Sequence, residues 1–192
     1  MNTRQAQSFG VERMTLNLFQ EMGLPEKLVA RVAALGITEP TPIQIHAIPA
    51  VLDGKDVMGL AQTGTGKTAA FGLPLVASLL SGGKKPAPKT VRGLILAPTR
   101  ELAKQISDNL SNFVENTPLK IGLVVGGASI NPQIKRLARG TDILVATPGR
   151  LIDLLDRRAL TLDATTFLVL DEADQMLDLG FIHSLRKIAS LL

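Results

Sequence analysis

The sequence predicts an α/β fold, a parallel β-sheet with helices on both faces. Two observations carry this. Short apolar runs alternate with amphipathic stretches of helical period from about residue 57 onward, which is the pattern of strands buried on both faces. The segments richest in Gly, Thr, Arg and acids, near residues 61–68, 98–105, 126–127, 147–150 and 171–174, each follow such a run. In a parallel sheet those positions share the carboxyl edge, where ligands bind.

In chain order, residues 1–17 are polar and predict a loose N-terminus, with residues 18–192 as one domain. Leu28, Val32 and Leu35 form one stripe of a helix from about Pro25 to Leu35, with Gly36 as its C-cap candidate. Thr41-Pro42 reads as an N-cap with proline at the first helical position, opening a helix to about Leu52. Candidate strands are Val57–Ala61, Gly93–Ala97, Ile121–Val125, Ile143–Ala146 and Phe167–Leu170. Helical segments are expected over Lys67–Leu80, Arg100–Asn116, Ile130–Arg139, Arg150–Arg158 and Phe181–Leu192. Gly82–Lys89 is a polar, proline-containing connection.

A chain of 192 residues suffices for one such domain and is short for two. Net charge is +4, a weak lean toward a polyanionic partner. Cysteine is absent, which removes disulfides and Cys-ligated metals. The N-terminus has no apolar signal region, and the most apolar stretch, Gly72–Leu80, is too short for a membrane span. A cytoplasmic protein is expected. Trp and Tyr are absent, so aromatic stacking falls to six Phe and two His. His46 and His183 lack metal-ligand spacing.

Ala61-Gln62-Thr63-Gly64-Thr65-Gly66-Lys67-Thr68 is P-loop-like, although Ala61 stands where the general pattern has Gly. Backbone N–H groups of such a turn cradle phosphate oxygens, Lys67 reaches the β- and γ-phosphates, and the Thr68 hydroxyl ligates Mg²⁺. The same residues fit the looser dinucleotide pattern G-x-G-x-x-A, but that fold wants an acid about 20 residues on, and Lys89 and its neighbours supply none. Asp171-Glu172-Ala173-Asp174 follows the run Phe167–Leu170. Asp171 is the candidate to hold Mg²⁺ through water and Glu172 the candidate to polarise the attacking water. Lys67, Asp171 and Glu172 are the catalytic candidates.

Taken together, these segments resemble the first RecA-like domain of the DEAD-box RNA helicases of superfamily 2, bacterial type. The resemblance runs from about Phe19 to Gly180. Gly36–Gln44 looks like the Q motif with Phe19 as its upstream aromatic, and Ala61–Thr68 like motif I. Pro98–Gln105 resembles motif Ia, Gly126-Gly127 the GG motif, Thr147–Arg150 motif Ib and Asp171–Asp174 motif II. The resemblance implies ATP and Mg²⁺ as cofactors, with Phe19, Ile37, Thr41, Gln44, Gln62, Thr63, Gly64, Thr65, Gly66, Lys67 and Thr68 around the nucleotide. The Gln44 amide has the donor and acceptor that match the N6 and N7 edge of adenine, and Phe19 is expected to stack on the base. Ile37 departs from the family, which commonly has an aromatic there. RNA contacts are implied at Pro98, Thr99, Arg100, Gly127, Thr147, Pro148, Gly149 and Arg150. They are of the backbone-reading, sequence-independent kind, with Thr99 and Thr147 capping helices whose N-termini face phosphates. Glu101 is expected to pair or cap.

The family's motif III, Ser-Ala-Thr, and its second RecA-like domain with the arginine finger are not among these 192 residues. The expectation is therefore near-inertness as an ATPase, together with marginal stability, aggregation or a rearranged sheet. Two other readings stand beside the RNA helicase: a superfamily 2 ATPase acting on DNA, and a nucleotide-binding module without turnover.

Overall fold

Apolar runs become strands only where a neighbour takes up their backbone groups, and four runs do so here. The computed structural model describes residues 18–62, 64–83 and 85–192. They fall into two compact units, divided between Ser81 and Gly82.

The first unit is helical. Residues 18–21 form a short turn of helix. They are followed by α1 (Glu26–Ala34), α2 (Pro42–Leu52) and α3 (Lys67–Ser81). Leu28, Val29 and Val32 of α1, Ala47 and Ile48 of α2, and Leu73, Leu75 and Val76 of α3 are all buried. Thr41 stands at the N-cap of α2 in extended geometry with Pro42 at the first helical position, as the dipeptide predicts. The expected strand Val57–Ala61 is not formed. Residues 55–62 have no regular structure, with Met58 90% and Leu60 92% exposed. Among the described residues no strand pairs with this run, and without a partner an isolated strand leaves its backbone groups to water.

The second unit contains the sheet. In chain order it holds β1 (Val91–Leu96), α4 (Arg100–Phe113), β2 (Ile121–Val124), α5 (Ile130–Leu137), β3 (Thr141–Ala146), α6 (Pro148–Asp156), β4 (Phe167–Leu170), α7 (Ala173–Asp178) and α8 (Ile182–Ala189). The strand order is β2-β3-β1-β4 and every pairing is parallel. Leu94 stands opposite Leu144 and Leu96 opposite Ala146. These four pack with Leu151 and Leu154 of α6, Met176 of α7 and Ile188 of α8. The alternate residues Ile95, Ile143 and Val145 are also fully buried, and α4 contacts β2 and β3. Right-handed crossovers require this split: α4 carries the chain outward from β1 to β2, α5 brings it back to β3, and the two helices lie on opposite faces. The parallel sheet with helices on both faces matches the sequence expectation. Arg92, on β1, pairs with Asp142, on β3, at 2.9 Å, and Asp142 also accepts the Lys120 N–H at 2.9 Å. Among the described residues no helix is long and apolar enough to cross a membrane.

Candidate nucleotide and nucleic-acid sites

In the first unit the phosphate loop is shaped by two glycines, Gly64 at φ +82° and Gly66 at φ +87°. That region of backbone space is closed to most side chains. The Thr65 hydroxyl donates to the Gln62 carbonyl at 2.7 Å and tightens the turn. Helix α3 begins at Lys67, so its first amides and its positive end face the loop. Thr63 lies outside the described residues, as do residues 1–17.

Gln44 ties the Q-motif segment to this loop. It is 3% exposed. Its Oε1 accepts the Thr41 N–H at 3.1 Å and its Nε2 donates to the Gly66 carbonyl at 3.1 Å. A Cβ built on Gly66 would collide with that Nε2, so glycine is needed twice over, for conformation and for space. The amide expected to read adenine thus already holds two protein groups, and its remaining N–H and second lone pair are what it has left for a base. The Thr41 hydroxyl is buried and makes no hydrogen bond. Ile37 is half-buried and its N–H donates to the Val32 carbonyl at 3.2 Å. Phe19, the residue expected to stack on the base, is completely buried within the helical unit.

In the second unit the loops after β1, β2 and β3 converge on an open cleft of about 630 Å³. Pro98, Thr99 and Arg100 reach it from β1, Gly127 from β2, and Thr147, Gly149 and Arg150 from β3. Pro148, the remaining RNA candidate, is buried at the start of α6 and does not line the cleft. Two helices begin there. Thr99 caps α4 through its side-chain oxygen, which accepts the Leu102 N–H at 3.2 Å. Thr147 occupies the N-cap of α6 in extended geometry without a side-chain cap bond. Gly127 has φ +75°, and a Cβ there would strike the Arg100 guanidinium, which lies across it. Arg150 is not the surface residue its type suggests. Its side chain is 11% exposed, Nη1 donates to the Ala128 carbonyl at 3.0 Å, and Nε stands 3.8 Å from an Asp153 carboxylate oxygen without a hydrogen bond.

Glu101, expected to pair or cap, also lines the cleft, and the sequence pattern does not single out two further lining residues, Asp153 and Phe181. Asp153 stands beside Arg150 and Glu101 adds a second negative charge to the lining, so helix N-termini and backbone N–H groups share anion attraction with the two arginines. The signal for Phe181 was available: it is one of six Phe in a chain with neither Trp nor Tyr.

At the end of β4, the Asp171 N–H continues the ladder by donating to the Leu96 carbonyl at 3.0 Å, and Asp171 is buried. Glu172 has left-handed backbone geometry, φ +52° and ψ +51°, at the N-cap of α7. A non-glycine residue there stores strain of the kind found at functional positions.

Residues 41–192 match the family model of the DEAD/DEAH box helicases. The chain is 45% identical over 182 residues to DEAD-box ATP-dependent RNA helicase 52A of Oryza sativa subsp. japonica, covering 88% of this chain and 30% of that protein. It is 46% identical over 172 residues to DEAD-box ATP-dependent RNA helicase CshA of Streptococcus pneumoniae, covering 90% of this chain and 32% of that protein. The near-equal identities do not separate a bacterial from a plant type. Among solved structures it resembles the RNA-helicase Prp28 from Chaetomium thermophilum bound to ADP, with a TM-score of 0.81 and 43% identity, covering 88% of this chain and 41% of that one. The chain thus spans about a third of the length of the curated relatives it matches. A model match over most of its length, joined to a parallel sheet whose loaded segments follow β1, β2, β3 and β4, places the chain in the DEAD/DEAH box helicase family.

Proposed function

We propose that these residues are the ATP- and RNA-binding portion of a cytoplasmic DEAD-box RNA helicase, whose whole protein couples ATP hydrolysis to local unwinding of RNA duplexes. The observation that carries the reading is the cleft in the second unit. Seven residues marked by sequence alone line it, from three different strand ends. Its chemistry suits a phosphate backbone: two helix starts, glycines that allow close approach, and arginines braced across the loops.

The first unit would hold the nucleotide. Gly64–Thr68 offer N–H groups and the Lys67 ammonium to phosphates, and Gln44 sets the loop's position through the Gly66 carbonyl. The unused Thr41 hydroxyl stands ready for a polar ligand group. Mg²⁺ fits the donor set. Thr68 and Asp171 supply hard oxygen atoms, and no cluster of three acidic or histidine side chains exists among the described residues. An ion that takes one carboxylate, waters and substrate phosphates needs none. When bound, it would neutralise phosphate charge. Glu172, held by the turn at the end of β4, would orient the attacking water.

For the 192 residues alone a second reading is binding of nucleotide without turnover, since no Ser-Ala-Thr segment stands among them and they span about a third of the length of the curated relatives. Titration with a fluorescent ATP analogue and with labelled single-stranded oligo-U, alongside a phosphate-release assay, tests both readings. RNA binding that falls with salt, with no RNA-stimulated release, supports them. Tighter binding to single-stranded DNA than to RNA defeats the RNA reading, and robust RNA-stimulated release defeats the module reading.

A further inference from the structure

The outer edge of the sheet carries a second groove, on the far side of β3 from β1. It has a volume of about 540 Å³ and runs the length of β2, with α4 (Ser107) on one wall and α5 on the other. The register fixes its floor. Thr147 N–H donates to the Val124 carbonyl, and Ile143 N–H to the Lys120 carbonyl. With Ile121 opposite Ile143 and Leu123 opposite Val145, the residues that bond to β3 are Lys120, Gly122 and Val124. The N–H and C=O groups of Ile121 and Leu123 therefore point outward, and none of the described residues takes them up.

Cations rim this edge. Lys120, Lys135, Arg136 and Arg139 line the groove and no acidic residue does. Lysines on a strand usually blunt an edge against pairing. Three of these four, however, come from α5 and the turn after it, so they stand beside the open backbone groups rather than on the strand.

We propose that this edge is a docking site for an acidic extended peptide that adds to β2 as a fifth strand. The alternation of free donors and acceptors decides between a peptide and a nucleic acid. Phosphate oxygens would satisfy the two N–H groups but would face the carbonyls of Ile121 and Leu123 as like charge, whereas a peptide backbone supplies both partners. In an extended peptide every second side chain faces the same way. A Glu-x-Glu-x-Glu segment thus turns all its carboxylates toward the cationic α5 wall, and its intervening side chains toward Ser107 and α4.

The test uses the 192-residue chain and a fluorescein-labelled Glu-Val-Glu-Val-Glu-Val-Glu peptide followed by anisotropy. Saturable binding is expected. The double variant Lys135→Glu/Arg136→Glu should weaken it about tenfold, with an unchanged far-UV circular dichroism melt. A peptide of the same sequence N-methylated at alternate amides keeps its charge and should lose binding. No binding of the unmodified peptide overturns the proposal. So does equal binding of the N-methylated peptide, or its displacement together with the unmodified one by single-stranded oligo-U, since both identify a polyanion patch instead of a strand-adding edge.

Discussion

The two units treat their apolar runs in opposite ways. In the second, Val91–Leu96, Thr141–Ala146 and Phe167–Leu170 lie side by side in register and the central residues are fully buried. In the first, Val57, Met58 and Leu60 belong to a run of similar composition, yet 44%, 90% and 92% of their surfaces are exposed. Composition qualifies a segment as a strand, and a hydrogen-bonding neighbour makes it one. The contrast also appears within the sheet. Leu168 and Leu170 of β4, which has one strand neighbour, remain 39% and 42% exposed, while Leu94 and Leu96 of β1, between two strands, are completely buried.

The largest expected effect sharpens that contrast. Leu144→Ala removes a side chain packed in the core of the second unit and should destabilise it by about 3–4 kcal/mol. Met58→Ala removes a side chain of similar size and should change stability by less than about 0.5 kcal/mol. Urea unfolding followed by far-UV circular dichroism measures both, a suitable probe because the chain has no Trp. A costly Met58→Ala would mean that the run is paired in solution.

The Arg92–Asp142 pair comes next. Its side chains are 12% and 4% exposed. Arg92→Ala strands a buried carboxylate that keeps the Lys120 N–H, and should cost about 2–3 kcal/mol. Arg92→Met combined with Asp142→Leu should recover part of that loss, because it removes the uncompensated charge while leaving the Lys120 N–H without its acceptor. A double variant as unstable as the single one would show that the pair is worth more than its desolvation.

These cases explain how far the sequence could be read. Phe167–Leu170 is seen with its predicted bounds, and the helices after Lys67 and Arg100 begin where expected. In each case local signals agree: an apolar run ends in acids, a Gly-rich turn precedes Lys67, and Thr99 supplies a cap. Seven of the eight residues proposed to meet RNA gather at one cleft for the same reason, since each follows a strand and a parallel sheet brings strand ends together. The departures all depend on partners distant in sequence. Val57–Ala61 needed a neighbouring strand. Arg150 was drawn down by a carbonyl 22 positions away, and the amide of Gln44 was taken by a glycine at the same separation. Nothing in the local pattern announces such bonds.

Gly66→Ala tests the last of these. The new methyl group meets Gln44 Nε2, and the backbone sits at φ +87°, so a stability loss of about 1–3 kcal/mol is expected. Affinity for an ATP analogue should fall as well. Gly64 has similar geometry, φ +82°, but open space at its Cβ position. Gly64→Ala should therefore carry only the conformational part of the loss. Equal losses at both glycines would show that the contact with Gln44 contributes nothing.

The smallest effect separates capping from binding in the second unit. Thr99 and Thr147 occupy equivalent positions, each at the N-cap of a helix that opens onto the same cleft. Only Thr99 makes the cap bond, to the Leu102 N–H. Thr99→Ala should thus cost about 1 kcal/mol of stability, while Thr147→Ala removes no cap bond and should cost less. If both hydroxyls also serve a phosphate backbone, the two variants should weaken oligo-U binding to a similar degree despite their different stabilities. Thr99→Ser, which restores the cap oxygen, should rescue stability and binding together. A Thr147→Ala protein that melts like the parent and binds oligo-U equally well would remove that hydroxyl from the interface and leave the α6 end to act through its backbone N–H groups alone.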